Sequence, residues 1–215
     1  MTMSKKLINY LGVTGVVALI SYAAAVCFSP LAYPGYDRFA QAVSDLSAEN
    51  APSRMLWGQL SALYGVCSVM CVTCVSVFVS ERKTGTSLFR IGIYLFTVMN
   101  WISKVGYDMF PLSDSGKAIS TFQETMHMII TAAVVLLSVV SLVLLIIAGF
   151  KKTGYTGMGI WACIALVMMF MGAIGQGIVP EEYFGIAERF SVFSAVGFNA
   201  VLGVYLMRGF EKKKA

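Results

Sequence analysis

Charge is what this sequence has least of. Only 13% of its 215 residues are Asp, Glu, Lys or Arg, about half the roughly 25% usual in a soluble domain. That leaves too little polar surface to cover a water-soluble globule. It excludes a soluble enzyme and a disordered chain. Histidine is almost missing too: His127 stands alone, so a multi-histidine zinc site of the kind used by intramembrane hydrolases is excluded. Cysteine is scarce and badly placed for crosslinking. Cys27, Cys67, Cys71, Cys74 and Cys163 all fall inside apolar runs, so no disulfide framework is implied. Cys67, Cys71 and Cys74 share one helical face and read as small packing residues, because a redox pair needs an exposed, activated thiolate. No glycine-rich phosphate loop and no haem-type histidine pair occur.

What is present instead is apolar: 58% of the chain is hydrophobic. The excess falls in six stretches, 7–31, 55–79, 88–110, 120–150, 156–179 and 185–208. About 20 helical residues cross the ~30 Å hydrocarbon layer, and each stretch reaches that length. The runs lack the alternation of barrel strands, so helices are predicted. The expectation is an all-α fold, a six-helix transmembrane bundle forming one domain over residues 1–215, in the cell membrane.

Orientation follows from the polar seams. With both termini cytoplasmic, the inner seams hold Lys5, Lys6, Arg82, Lys83, Arg90, Lys151, Lys152, Arg208, Lys212, Lys213 and Lys214. The outer ends hold Arg38, Arg54, Lys104, Lys117 and Arg189. Acids run the other way, with only Glu81 and Glu211 inside. The net charge of +5 is thus a topogenic signal, and no nucleic-acid partner is expected. The N-terminus resembles a signal peptide, but its apolar run exceeds the usual 7–15 residues, so an uncleaved anchor is expected.

Pro30, Pro111 and Pro180 each stand at the outer end of an odd-numbered span and read as helix stops. In the long first outer loop, Phe39, Ala42, Val43 and Leu46 recur at helical spacing, with Arg38, Gln41 and Asp45 on the other face. That pattern predicts a short amphipathic helix lying in the membrane interface or capping the bundle. The inner loops are too short to hold a catalytic domain, so function must reside within the bundle or on its outer face.

Ionisable groups within a bilayer are costly and mark candidate sites. Asn100, Lys104 and Asp108 form a polar stripe in the third span, and Lys104 and Asp108 are spaced for an ion pair. Gln123, Glu124, His127 and Thr131 form a patch in the fourth, and Arg189 opens the sixth beside Glu188. The reading is an outward-facing polar vestibule with Lys104, Asp108, Glu124, His127 and Arg189 as ligand-binding residues. A catalytic arrangement would use His127 as base, with Asp45 or Asp114 supporting it. The spacing of Asp45, Asp114 and Glu124 matches no metal motif, so neither a metal site nor a cofactor is expected.

Tyr33-Pro34-Gly35-Tyr36, Ser44-Asp45-Leu46, Met109-Phe110-Pro111 and His127, with Val179-Pro180-Glu181-Glu182-Tyr183 and Glu188-Arg189-Phe190 further on, resemble the domain-of-unknown-function 998 family of bacterial and archaeal membrane proteins. The resemblance spans nearly the whole chain and implies a polytopic membrane protein without assigning an activity. Three functions are weighed. The first is a non-enzymatic protein that binds or helps move a small molecule or lipid headgroup. The second is an intramembrane lipid hydrolase or transferase at the outer leaflet. The third is a structural or interaction subunit. Membrane lipids are the expected partners under each, and oligomeric state is left open.

Overall fold

The computed structural model describes residues 6–113, 121–151 and 154–210. Lys5, Asp114, Lys117, Lys152 and residues 211–215 lie outside the described residues. Eight α-helices occur among the described residues: α1 (Leu7–Tyr10), α2 (Val13–Phe28), α3 (Arg54–Leu60), α4 (Ala62–Glu81), α5 (Ser87–Met109), α6 (Phe122–Lys151), α7 (Thr156–Ile178) and α8 (Phe184–Met207). Among the described residues, five segments are long and apolar enough to cross a membrane: Leu7–Ala32, Ala62–Glu81, Phe122–Lys151, Thr156–Ile178 and Glu181–Met207. The protein is therefore an all-α, multi-pass membrane protein. The remaining expected span corresponds to α5. Its 23 residues would reach about 34 Å, but Arg90, Asn100, Lys104 and Asp108 make it less apolar than the other five.

Consecutive long helices pack as neighbours, α2 on α4, α4 on α5, α5 on α6, α6 on α7 and α7 on α8, and α8 returns to α2. Helix α4 also meets α8. The interior is filled by Val72, Phe89, Ile93, Phe96, Leu142, Leu145, Met158 and Leu202. Lipid tails are as apolar as these side chains, so burial alone does not hold such helices together; close backbone approach does. Gly12 and Gly203 supply one such approach, since a Cβ on either would collide with the other's carbonyl oxygen. Gly149 and Gly159 supply another between α6 and α7. Cys71 is fully buried and packs where Gly15 and Gly203 lack side chains, as expected for a packing cysteine.

The three prolines stop helices as expected. Helix α2 ends at Phe28, with Pro30 in a following 3₁₀ turn, while α5 and α7 end two residues before Pro111 and Pro180. The second span is interrupted at Ser61, whose hydroxyl donates to the Trp57 carbonyl at 2.7 Å. The Leu60 carbonyl accepts instead from Ser21 Oγ on α2 at 2.6 Å, so the break is satisfied by a tertiary bond.

The first loop departs from expectation. The amphipathic helix predicted from Phe39 onward does not form; a turn is followed by a four-residue 3₁₀ segment, Ser44–Ser47. The reason lies in where its backbone groups go. The amides of Val43 and Ser44 donate to Glu188, and the carbonyls of Gln41 and Ala42 accept from Tyr36 Oη. A helix would need those groups for its own ladder. Ala42, Val43 and Leu46 are nonetheless buried, while Phe39 is 60% exposed.

Candidate functional site

The loop just described docks on the start of α8 through two adjacent residues of opposite charge. Glu188 accepts the amides of Val43 and, at 3.4 Å, Ser44. Arg189 donates to the Gln41 carbonyl at 3.1 Å, to the Gly185 carbonyl at 2.6 Å and to Tyr36 Oη at 2.9 Å. Gly185 permits this approach, because a side chain there would strike the Gln41 carbonyl. Burial pushes the Tyr36 hydroxyl up to about 12, against the opposing pull of the Arg189 guanidinium. Burial also raises Asp45 above the ordinary aspartate range, and the Ala42 amide, 3.2 Å from Oδ2, and Arg189 only partly offset it. Asp45, Tyr36, Glu188 and Arg189 thus form one polar cluster at this end of the bundle.

His127 sits one turn into α6, beside Tyr107 of α5, with ring centroids 4.9 Å apart. Its Nδ1 lies 2.9 Å from the Phe110 carbonyl oxygen. A carbonyl only accepts, so Nδ1 carries the hydrogen and Nε2 of the neutral ring is an acceptor. No described residue hydrogen-bonds that second nitrogen. Thr131 Oγ1 donates to the His127 carbonyl, which leaves Tyr107 Oη to donate to Thr131 at 3.1 Å.

The other expected residues have more local roles. Lys104 and Asp108 pair across one turn of α5, with Asp108 mostly exposed. The Lys104 stem lies over Gly65 of α4. Glu124 forms a capping box at the start of α6: its carboxylate accepts from the Thr121 amide at 3.0 Å, and its own amide donates to Thr121 Oγ1 at 3.2 Å. Neighbouring Gln123 ties the two loops together, donating to the Pro111 carbonyl at 2.8 Å and to Glu49 Oε2 at 3.3 Å. The structure therefore pairs Lys104 with Asp108, and it places Asp45, which accepts the Ala42 amide, in the same loop that Arg189 holds through the Gln41 carbonyl. No hydrogen bond joins Asp45 to His127, whose Nδ1 is oriented by a backbone carbonyl, and Asp114 lies outside the described residues. Among the described residues no three His, Cys, Asp or Glu side chains group as a metal site would require.

Two features go beyond the sequence reading. Glu188 is the principal anchor of the loop, signalled in sequence only by its adjacency to Arg189. Deeper in the bundle, Ser68, Asn100 and Asn199 join α4, α5 and α8. Ser68 Oγ donates to Asn100 Oδ1 at 2.9 Å, and Asn199 Nδ2 donates to Ser68 Oγ and to Asn100 Oδ1. Asn199 Oδ1 is buried without a partner, a cost that the donors of the same amide must offset.

A family model described as "Protein of unknown function (DUF998)" matches residues 16–205, and the chain belongs to that family. No curated protein and no solved structure matches it significantly.

Proposed function

We propose that this DUF998 protein is a non-enzymatic membrane protein that binds, or helps move, a small polar molecule or lipid headgroup at the polar end of its bundle. The observation that carries the reading is His127: its ring is fixed by the Phe110 carbonyl with Nε2 left as an acceptor. Intramembrane ionisable groups tend to face a bundle interior or cavity and to mark binding paths. Lys104 and Asp108 offer a cation and an anion on α5 for a headgroup carrying both charges, with Glu124 and Arg189 bordering the same end. The basic seams support six spans in one transmembrane unit, with α5 included and both termini cytoplasmic, so this end faces outward. A structural role is favoured by one observation, the internal use of Glu188 and Arg189 to hold the loop.

Thermal unfolding of the purified full chain separates the two. The probes are glycerophosphocholine, glycerophosphoethanolamine and glycerol 3-phosphate. A probe present at 100 times its Kd adds about 2.7 kcal/mol to stability. The binding reading expects at least one probe to stabilise the wild type. His127→Phe, which keeps the ring against Tyr107, and Lys104→Met should each abolish that effect. No shift with any probe, or a shift that survives both substitutions, refutes it.

A further inference from the structure

We propose that a second site, at the opposite end of the bundle, holds the phosphate group of an anionic phospholipid. It is a cavity of about 330 Å³ between the end of α4, the turn that follows it, the start of α7 and the end of α8, lined by Phe78, Arg82, Lys83, Thr84, Gly85, Tyr155, Gly209 and Phe210. That volume is at the lower end of the range for small-molecule sites, enough for a headgroup rather than a whole lipid. Its inner wall is aromatic and buried: Phe78 stacks on Phe210 at 5.8 Å, and Phe89 bridges Phe210 and Tyr155 behind it. Arg82 and Lys83 are the charged residues of the lining. A third cation backs the turn, since Arg90 reaches the carbonyls of Thr84 and Gly85, each at 3.5 Å.

The backbone gives an independent indication. Lys83 and Phe210 are the two non-glycine residues with positive φ among the described residues, at 47° and 52°, and both line this cavity. Lys83 stands one residue beyond Arg82, the C-cap of α4, a position where glycine reaches the same conformation without steric cost. A lysine there carries a conformational penalty and gains no packing, being exposed. Strain of this kind is retained where a side chain is needed at that place. An ammonium and a guanidinium over an aromatic floor suit a phosphate diester, the one for charge and the other for its forked hydrogen bonds. Anionic lipid is richest in the leaflet that the basic seams face.

The test uses the full chain in detergent, measuring thermal unfolding against phosphatidylglycerol, phosphatidylcholine and free glycerol 3-phosphate. Phosphatidylglycerol should raise the wild-type Tm more than phosphatidylcholine does. Arg82→Ala/Lys83→Ala should weaken that lipid's apparent affinity roughly 25-fold, about fivefold per charge removed. Arg82→Lys/Lys83→Arg, which keeps both charges, should retain most of it. The control Lys6→Ala/Lys151→Ala removes two charges that do not line the cavity, where salt screens what they add to binding, and should change it much less. Equal stabilisation by both lipids, or equal losses in the two alanine pairs, would overturn the proposal. So would saturable stabilisation by glycerol 3-phosphate without any by the lipid. His127→Phe and Lys104→Met leave this site untouched, so its failure and that of the outer site are read separately.

Discussion

Replacing Glu188 with alanine should release the first outer loop from the bundle. The carboxylate accepts two backbone amides, those of Val43 and Ser44, the second at 3.4 Å and so the weaker. Hydrogen bonds to a charged group contribute about 1.5–3 kcal/mol each, and the long one lies at the bottom of that range or below. The release energy is then about 3 kcal/mol, which multiplies the open population of the loop roughly 150-fold, at about 1.4 kcal/mol per tenfold. Amide hydrogen exchange reads this directly, since Val43 and Ser44 exchange through local opening. Exchange over 41–47 should accelerate by about two orders of magnitude, while amides in α4 and α6 remain protected. Glu188→Gln, which keeps the shape and one acceptor, should fall between wild type and alanine. Unchanged exchange over 41–47 in Glu188→Ala would refute the reasoning, as would uniform acceleration across all helices.

Three further outcomes are expected. Gly12→Ala places a methyl against the Gly203 carbonyl and within 3.0 Å of the Met207 amide nitrogen, which should cost about 1–3 kcal/mol through overpacking and lower the Tm by several degrees. Gly177→Ala, where nothing lies within 4 Å, should leave it unchanged or raise it. Asp45 has a raised folded-state value, so the fold binds its proton more tightly than the unfolded chain does. Its contribution is fully present below the ordinary aspartate range and lost as pH rises through the folded value. The Tm of wild type relative to Asp45→Asn should therefore rise as pH falls from 7 toward 4, and a flat or opposite trend sinks the assignment. Finally, in a cysteine-free background, an impermeant thiol reagent on intact cells should modify Ser113→Cys and spare Lys83→Cys; the reverse pattern overturns the orientation.

The positions of the helices were legible because each depends on a local sum. Twenty apolar residues cross a bilayer whatever surrounds them, and Pro30, Pro111 and Pro180 act on their own backbone. Helix α5 was legible as a helix, with its threefold polar interruption visible as Asn100, Lys104 and Asp108. Their ion pair needed only one helical turn to predict. The capping role of Glu124 was also local, written as Thr121 and Glu124 three apart.

The first loop shows the other case. Its apolar positions at helical spacing grouped Phe39, Ala42, Val43 and Leu46 on one face, and all but Phe39 are buried. The same spacing suggested a helix, which does not form because Glu188, 145 residues away from Val43, takes the amides first. Transfer of side chains from water to lipid is an additive property of short stretches, so the sequence by itself determined the membrane class and the apolar helical segments that length and composition mark. Which partner satisfies each buried polar group is a property of helices brought together from distant parts of the chain. Only the tertiary structure decided that Arg189 holds Tyr36, that Asn199 meets Ser68 and Asn100, and that His127 turns Nε2 away from its backbone anchor.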